Sequence, residues 1–371
     1  ETTMKNNFIP ILGAGLISYS IALALVENTS FNVAIFSTSP IPIVSSIVYQ
    51  NSGEKYSKKA ITPKKNEETI DELEARMHPY SSRILYISSS DSSFSDIIKA
   101  APFIISACRS GLPDHYVNIF NKIAFSSKKS VISLDNDTSI YKIAISKNTN
   151  DAITYCHGII HAVVNSKKIE QRTIICDTNG YSLLFLPYSN VSSSLDSFHR
   201  SIPIIKSCSS IRLCTENELY YINLLKRLEI NAPHSILCAY ALKNMISTTH
   251  SISDILHMKI NETLNANDPY LDFITNTIPA ACIRYYLPEL PATKISNINL
   301  NTPEFINYLF RSNQEELIRG MPITSPEKSK KHIEDLEFCY LALNSFPETS
   351  SLARDLEHLI LFIKDLAKDY S

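Results

Sequence analysis

Residues 8–26 read FIPILGAGLISYSIALALV, and the reading of this stretch decides the fold. Phe8 to Leu12 is a short, unbroken apolar run, the pattern of a strand buried on both faces. Gly13-Ala14-Gly15 is a tight turn, and Leu16 to Val26 is apolar over a helical length. Strand, GxG and helix in that order form the arrangement that seats a dinucleotide. Small residues let the backbone approach a pyrophosphate, which then lies on the helix N-terminus. Ser18 stands at the third position of that fingerprint, where glycine or alanine is usual, and is small enough for close helix–strand packing. A plain strand–helix unit that binds no nucleotide is the competing reading.

Glycine is scarce enough to be informative. The chain of 371 residues has 7 glycines, against a usual share of roughly 7%. Positions that keep glycine are therefore read as positions whose backbone needs it, and Gly13 and Gly15 are two of them.

Outward from that unit, Asn32 to Phe36 reads as a second strand, ending in Ser37-Thr38-Ser39-Pro40. An acidic residue here would accept from a ribose hydroxyl, and none is present. Hydroxyls without a carboxylate accommodate a 2′-phosphate better, which favours NADP over NAD, with Ser37 and Thr38 as candidate contacts. Residues 54–74 are rich in lysine and glutamate and read as an exposed loop and helix. Strands then follow at 84–88, 103–108 and 130–134, with helices at 94–100 and 117–124. Alternation of this kind predicts an α/β fold, a doubly wound and mainly parallel Rossmann-like sheet. Ligands lie at the carboxyl ends of such strands, where Gly13, Gly15, Ser37, Arg109 and Asn136 all fall. Arg109 is a candidate for a cofactor phosphate or an anionic substrate, or is an exposed arginine without a role. Asn136 also fits an ordinary turn residue.

From residue 152 to 186 the strands lengthen. His157 and His161 are four apart and are expected on one strand face as structural histidines. No third ligand has suitable spacing, so no metal is expected. A serine-rich junction at 189–201 divides a dinucleotide-binding domain, residues 1–200, from a mainly helical substrate and catalytic domain, residues 201–371.

The helical half carries YYINLLKRLEINAPHSILCAY, residues 220–240. Lys226, Asn231 and His234 interrupt its apolar pattern. At 100° per residue, Asn231 lies about 140° round from Lys226 and His234 about 80° round. An amine can give and take a proton beside a carbonyl, an amide can hold an oxyanion, and an imidazole can orient a substrate. The structural alternative is a surface lysine and a helix junction, with Asn231 as N-cap and Pro233 in the following turn.

Composition excludes several classes. Hydrophobic residues make up 44% and charged residues 19%, with a net charge of -2. No basic stripe interleaved with aromatics suggests nucleic acid. No apolar run reaches the ~18 residues of a membrane span, and the N-terminal residues lack a leader pattern. Eight scattered cysteines without CxxC point to a reducing, cytoplasmic setting. The expected partner is a small molecule, and the expected state a monomer or dimer.

Taken together, the Rossmann pattern, Asp135-Asn136 after a buried strand and the K-x4-N-x2-H spacing of Lys226, Asn231 and His234 resemble the long-chain mannitol dehydrogenase family of polyol dehydrogenases. In length the chain is similar to that family's mannitol-1-phosphate 5-dehydrogenase branch. The resemblance implies hydride exchange between a polyol or polyol phosphate and its ketose, without metal, using NAD or NADP. It also implies Lys226 as acid/base, Asn136 and Asn231 as oxyanion amides and His234 as the substrate-orienting group. The family's Val-Asp-Arg-Ile run is replaced by Ile160-His161-Ala162-Val163, and its glycine beside the motif histidine by Pro233. Two alternatives stand beside it. One is a reductase of 2-oxo acids like ketopantoate reductase or opine dehydrogenase. The other is a catalytically silent binding protein on the same fold.

Overall fold

The computed structural model describes residues 8–51, 54–64, 68–77, 82–161, 164–178, 181–198, 208–232, 235, 236, 239, 243, 277–286 and 326–368. The chain divides into two compact units, Glu1–Ile222 and Asn223–Ser371.

The first unit opens with β1 (Phe8–Leu12), α1 (Leu16–Asn28) and β2 (Asn32–Ser37). The hairpin β3 (Ser46–Asn51) and β4 (Glu54–Ile61) follows, then α2 (Ile70–Met77), β5 (Ile84–Ser88) and α3 (Phe94–Ala100). After β6 (Ile104–Ser106), a π turn at Leu112–Tyr116 runs into α4 (Val117–Phe120). Next come β7 (Lys129–Ser133), α5 (Ser139–Lys147), β8 (Ile153–His157), β9 (Ile159–His161), β10 (Val164–Glu170), β11 (Thr173–Thr178) and β12 (Tyr181–Pro187). The helical turns α6 (Tyr188–Val191) and Ser192–Ser197 precede β13 (Cys208–Cys214), and α7 (Glu216–Lys226) begins in the first unit and ends in the second, the division falling after Ile222.

The main sheet has ten strands in the order β10-β11-β3-β4-β5-β2-β1-β6-β7-β8. From β5 to β8 every pairing is parallel. Numbered along those six strands alone, the order is 3-2-1-4-5-6, that of a doubly wound dinucleotide fold. The α/β expectation is met.

Helix α1 is apolar all round because it is buried all round. It packs on β1 and β2 on one side and on β10, β12 and β13 on the other. The second set includes strands of a smaller sheet, ordered β13-β12-β9. Ala22 and Ala24 are fully buried, as are Ile21 and Leu25, so small side chains alternate with large ones where two layers close on one helix. The C-terminus of α1 is held by Arg83, whose guanidinium donates to the carbonyls of Val26, Thr29 and Phe31. A cation there meets the negative end of the helix dipole.

Three local expectations are corrected. Residues 54–61 form β4, not a loop, and Ala60 and Ile61 pair with β5. Lys55 and Lys59 are exposed and Ala60 is buried, so this strand has too few apolar positions to show in a hydropathy pattern. Residues 208–214, beyond the serine-rich junction, form β13, which runs parallel to β12. His157 and His161 do not share a strand. Gly158 separates them where the chain leaves one sheet for the other. A side chain at 158 would sit 2.7 Å from Leu134 and 2.9 Å from the Phe185 carbonyl oxygen.

The second unit is helical where described. Leu224, Leu228, Ala232, Ile236 and Ala239 form one buried stripe at spacings of three and four. They cluster with α8 (Ile278–Tyr286), α9 (Pro326–Asn344) and α10 (Ser350–Lys368), chiefly through Cys282, Leu336, Cys339, Leu356 and Ile360. Arg227 pairs with Asp335 at 3.1 Å and stacks over Phe338. Ser235 Oγ donates to the same carboxylate at 2.9 Å.

Candidate nucleotide turn and a buried lysine

At the end of β1, Gly13 donates its N–H to the Phe36 carbonyl at 2.9 Å and adopts φ +103°. A Cβ there would lie 3.1 Å from the Ala107 carbonyl oxygen. Both the dihedral and the crowding demand glycine. Gly15 is different. It is the N-cap of α1 at φ -77°, a conformation open to any residue, and a Cβ on it would meet nothing within 4 Å. Its α-carbon faces open space among the described residues, which therefore do not require glycine at 15. A ligand backbone or phosphate approaching the helix end would.

Ser18 does more than fit. It is fully buried, and its Oγ donates to the Gly13 carbonyl at 2.7 Å. The serine thus ties the first turn of α1 to the strand–helix corner, a role that size alone did not reveal. The first turn of α1 holds no acidic residue, which leaves the positive end of the dipole uncompensated by carboxylate.

Parallel pairing brings the other candidates to the same edge. Ser37 pairs with Ser88, Leu12 with Ser106, Ser106 with Ser133 and Ser133 with His157. A row of small polar residues thus lines the carboxyl ends of the strands. Ser37 is buried, and its Oγ accepts from the Ser39 N–H at 3.2 Å, while Thr38 is exposed. Arg109, after β6, adopts φ +49°, a left-handed conformation rare for a non-glycine residue. Its side chain is 71% exposed, and its Nε lies 3.9 Å from the Asp135 carboxylate. Asn136 is exposed on the bend after β7, between Asp135 and Asp137, whose carboxylates accept the N–H groups of Asp137 and Ser139 at 2.9 Å each. His157 Nε2 lies 3.3 Å from the Asp135 carbonyl oxygen. Cys108 beside this edge is not a ready nucleophile, since burial pushes its thiol up to about 11.

Lys226 and Asn231 belong to the second unit, Asn136 to the first. Lys226 ends α7 and is 8% exposed, an uncommon degree of burial for lysine. Residues 227–231 then form a π turn, with the Ala232 N–H bonded to the Arg227 carbonyl. In such a turn each N–H reaches back five residues, which places residues five apart nearly one above the other. Lys226 and Asn231 are therefore closer to one helix face than regular α-helical geometry puts them. Asn231 lies within this turn and Ala232 after it keeps helical dihedrals, so Asn231 is not an N-cap. His234 lies outside the described residues.

One residue escaped the sequence reading. Lys167 on β10 donates from Nζ to the Ala14 carbonyl at 2.5 Å and sits 4.9 Å from the Tyr19 ring centroid. A Lys-Lys pair on a polar strand carries no local sign of such a contact.

No family model and no curated protein matches the sequence. Among solved structures, an octopine dehydrogenase in complex with NADH and agmatine is similar at 9% identity, covering 97% of this chain and 89% of that one, with a TM-score of 0.49. A 2-dehydropantoate 2-reductase from Geobacter metallireducens shares 11% identity over 95% and 99% of the chains, at 0.48. A Plasmodium falciparum glycerol-3-phosphate dehydrogenase shares 12% over 98% and 94%, at 0.44. Likeness this distant carries neither residues nor activity to this chain, and the fold class rests on the strand order above. The resemblance to mannitol dehydrogenases is not upheld. No family model matches, and the similar structures include 2-dehydropantoate 2-reductases and an octopine dehydrogenase. Three spaced residues in 371 specify little, and two of them bracket a π turn that a sequence motif does not encode.

Among the described residues no group of three His, Cys, Asp or Glu side chains is placed to hold a metal ion. Nor is any described helix long and apolar enough to cross a membrane.

Proposed function

We propose that this chain is an NAD(P)-dependent oxidoreductase that reduces the carbonyl of a small 2-oxo acid, with Lys226 as the proton-donating group. The observation that carries the reading is the turn at Gly13 to Gly15 in its 3-2-1-4-5-6 sheet. One glycine is forced by the fold, while a Cβ on the other would meet nothing within 4 Å among the described residues. These residues fit a dinucleotide. Gly15 and the N-terminus of α1 would take the pyrophosphate, and Ser37 and Thr38 the adenosine ribose. The absence of a carboxylate after β2 favours NADP. When bound, the cofactor supplies the hydride.

The chain's own groups would do the rest. A buried ammonium such as Lys226 gives its proton to the carbonyl oxygen as negative charge grows there. The Asn231 amide, on the turn that follows Lys226, would donate a hydrogen bond to the same charge. Arg109 supports an acidic substrate, because its solvated guanidinium stands at the carboxyl edge in a strained conformation with one long ion pair. Ketoacids of the kind named by 2-dehydropantoate are the first class to test.

Fluorescence titration with NADH and NADPH tests the foundation, and turnover of a 2-oxo acid panel tests the substrate class. Binding of either nucleotide with reduction of a 2-oxo acid is expected. If neither nucleotide binds, the chain is a silent protein on a dehydrogenase fold and the proposal fails.

A further inference from the structure

Lys167 reaches the nucleotide turn from the edge strand β10, some 150 residues along the chain. Its Nζ donates to the carbonyl of Ala14, the middle residue of Gly13-Ala14-Gly15. The Ala14–Gly15 peptide is trans, so its carbonyl and its N–H point in opposite directions. An ammonium fixed on the carbonyl side therefore aims the Gly15 N–H away from Lys167. Among the described residues, nothing accepts from that N–H. The same cation polarises the peptide and makes its N–H a stronger anion donor.

Two further features keep the lysine in place. The face of Tyr19, one turn into α1, lies 4.9 Å from Nζ, within cation–π range. Strand β10 is itself held by a two-residue hairpin, Gln171 and Arg172, both at positive φ, and the Arg172 carbonyl accepts from the Ser45 N–H at 2.8 Å. Lys167 remains a solvent-exposed residue, and partial desolvation of its ammonium lowers its pKa.

We infer that Lys167 is a positioning residue of the nucleotide turn: by clamping the Ala14 carbonyl it presets the Gly15 N–H to receive a pyrophosphate. The inference rests on the nucleotide-binding reading above and adds a residue to it. It predicts a selective defect. Ligands with a diphosphate depend on Lys167, whereas the adenine and ribose do not.

The test is calorimetric binding of ADP and of adenosine to the wild-type chain, Lys167→Met and Lys167→Gln. Lys167→Met should weaken ADP about tenfold, as expected for losing a charge-assisted hydrogen bond, with adenosine affinity unchanged. Lys167→Gln keeps an N–H donor without the charge and should fall between. If Lys167→Met does not fold, Lys167→Gln decides alone, and ADP binding at wild-type affinity overturns the inference. Equal losses for ADP and adenosine would mean a merely structural lysine and also overturn it. If the wild-type chain binds neither ADP nor NAD(P)H, the nucleotide reading falls and takes this inference with it. If it binds both and Lys167→Met is indistinguishable from wild type, only the inference falls.

Discussion

The α-carbon of Gly13 lies so close to the Ala107 carbonyl that a Cβ would sit 3.1 Å from its oxygen, at φ +103°. That contact joins the turn after β1 to the loop after β6, the two neighbouring strands whose carboxyl ends frame the crevice in this fold. A Cβ on Gly15, two residues on, would meet nothing within 4 Å among the described residues. Substitution should separate the two glycines. Gly13→Ala is expected to cost about 1–3 kcal/mol of stability through backbone strain and crowding. Gly15→Ala should leave the thermal midpoint within a few degrees yet weaken NAD(P)H binding by about tenfold or more, as a methyl enters the space a phosphate needs. Unchanged affinity in Gly15→Ala would remove the main support for a nucleotide there.

Lys226 is 8% exposed at the end of α7. Lys226→Ala should lower kcat by about two to four orders of magnitude, the usual worth of a general acid, while the Kd for NAD(P)H stays near wild type. Fluorescence titration beside steady-state kinetics distinguishes this from a structural lysine, whose loss would show first as a lower Tm.

Gly158 stands where the chain passes from β8 to β9, with Leu134, Ile132 and the Phe185 carbonyl within 2.9 Å of where a Cβ would be. Gly158→Ala should destabilise the first unit by about 1–3 kcal/mol, the cost of overpacking. Urea unfolding measures it. A change below ~0.5 kcal/mol would show that the two sheets part easily.

Burial pushes the thiols of Cys156 and Cys176 up to about 12. At pH 8 only about one in ten thousand of each would be thiolate, so native labelling with iodoacetamide, read by peptide mass, should spare both. The folded pKa is raised above the unfolded value near ~8.5. The native state then holds more protons above that pH, and the stability these thiols contribute is lost as pH rises from about 8.5 toward 12. Stability rising through that window would contradict the assignment.

Two levels of order separate in this chain. Residues 8–26 determined their own strand, turn and helix, because a buried strand and a fully buried helix both require unbroken apolar runs and the corner between them requires glycine. The alternation that follows determined the parallel sheet in the same local way. Strand β4 escaped because its exposed lysines mask a single buried face, and β13 because its pairing with β12 is a property of two distant segments. The candidate site divides likewise. Glycines, hydroxyls and a lysine in an apolar helix are visible as residue types. The bond from Lys167 to Ala14, the tie from Ser18 to Gly13 and the π turn between Lys226 and Asn231 depend on where backbone carbonyls end up in space. Only the tertiary structure decides that, since a hydrogen bond is set by distance and direction, and residues 153 apart in the chain have neither until the sheet has formed.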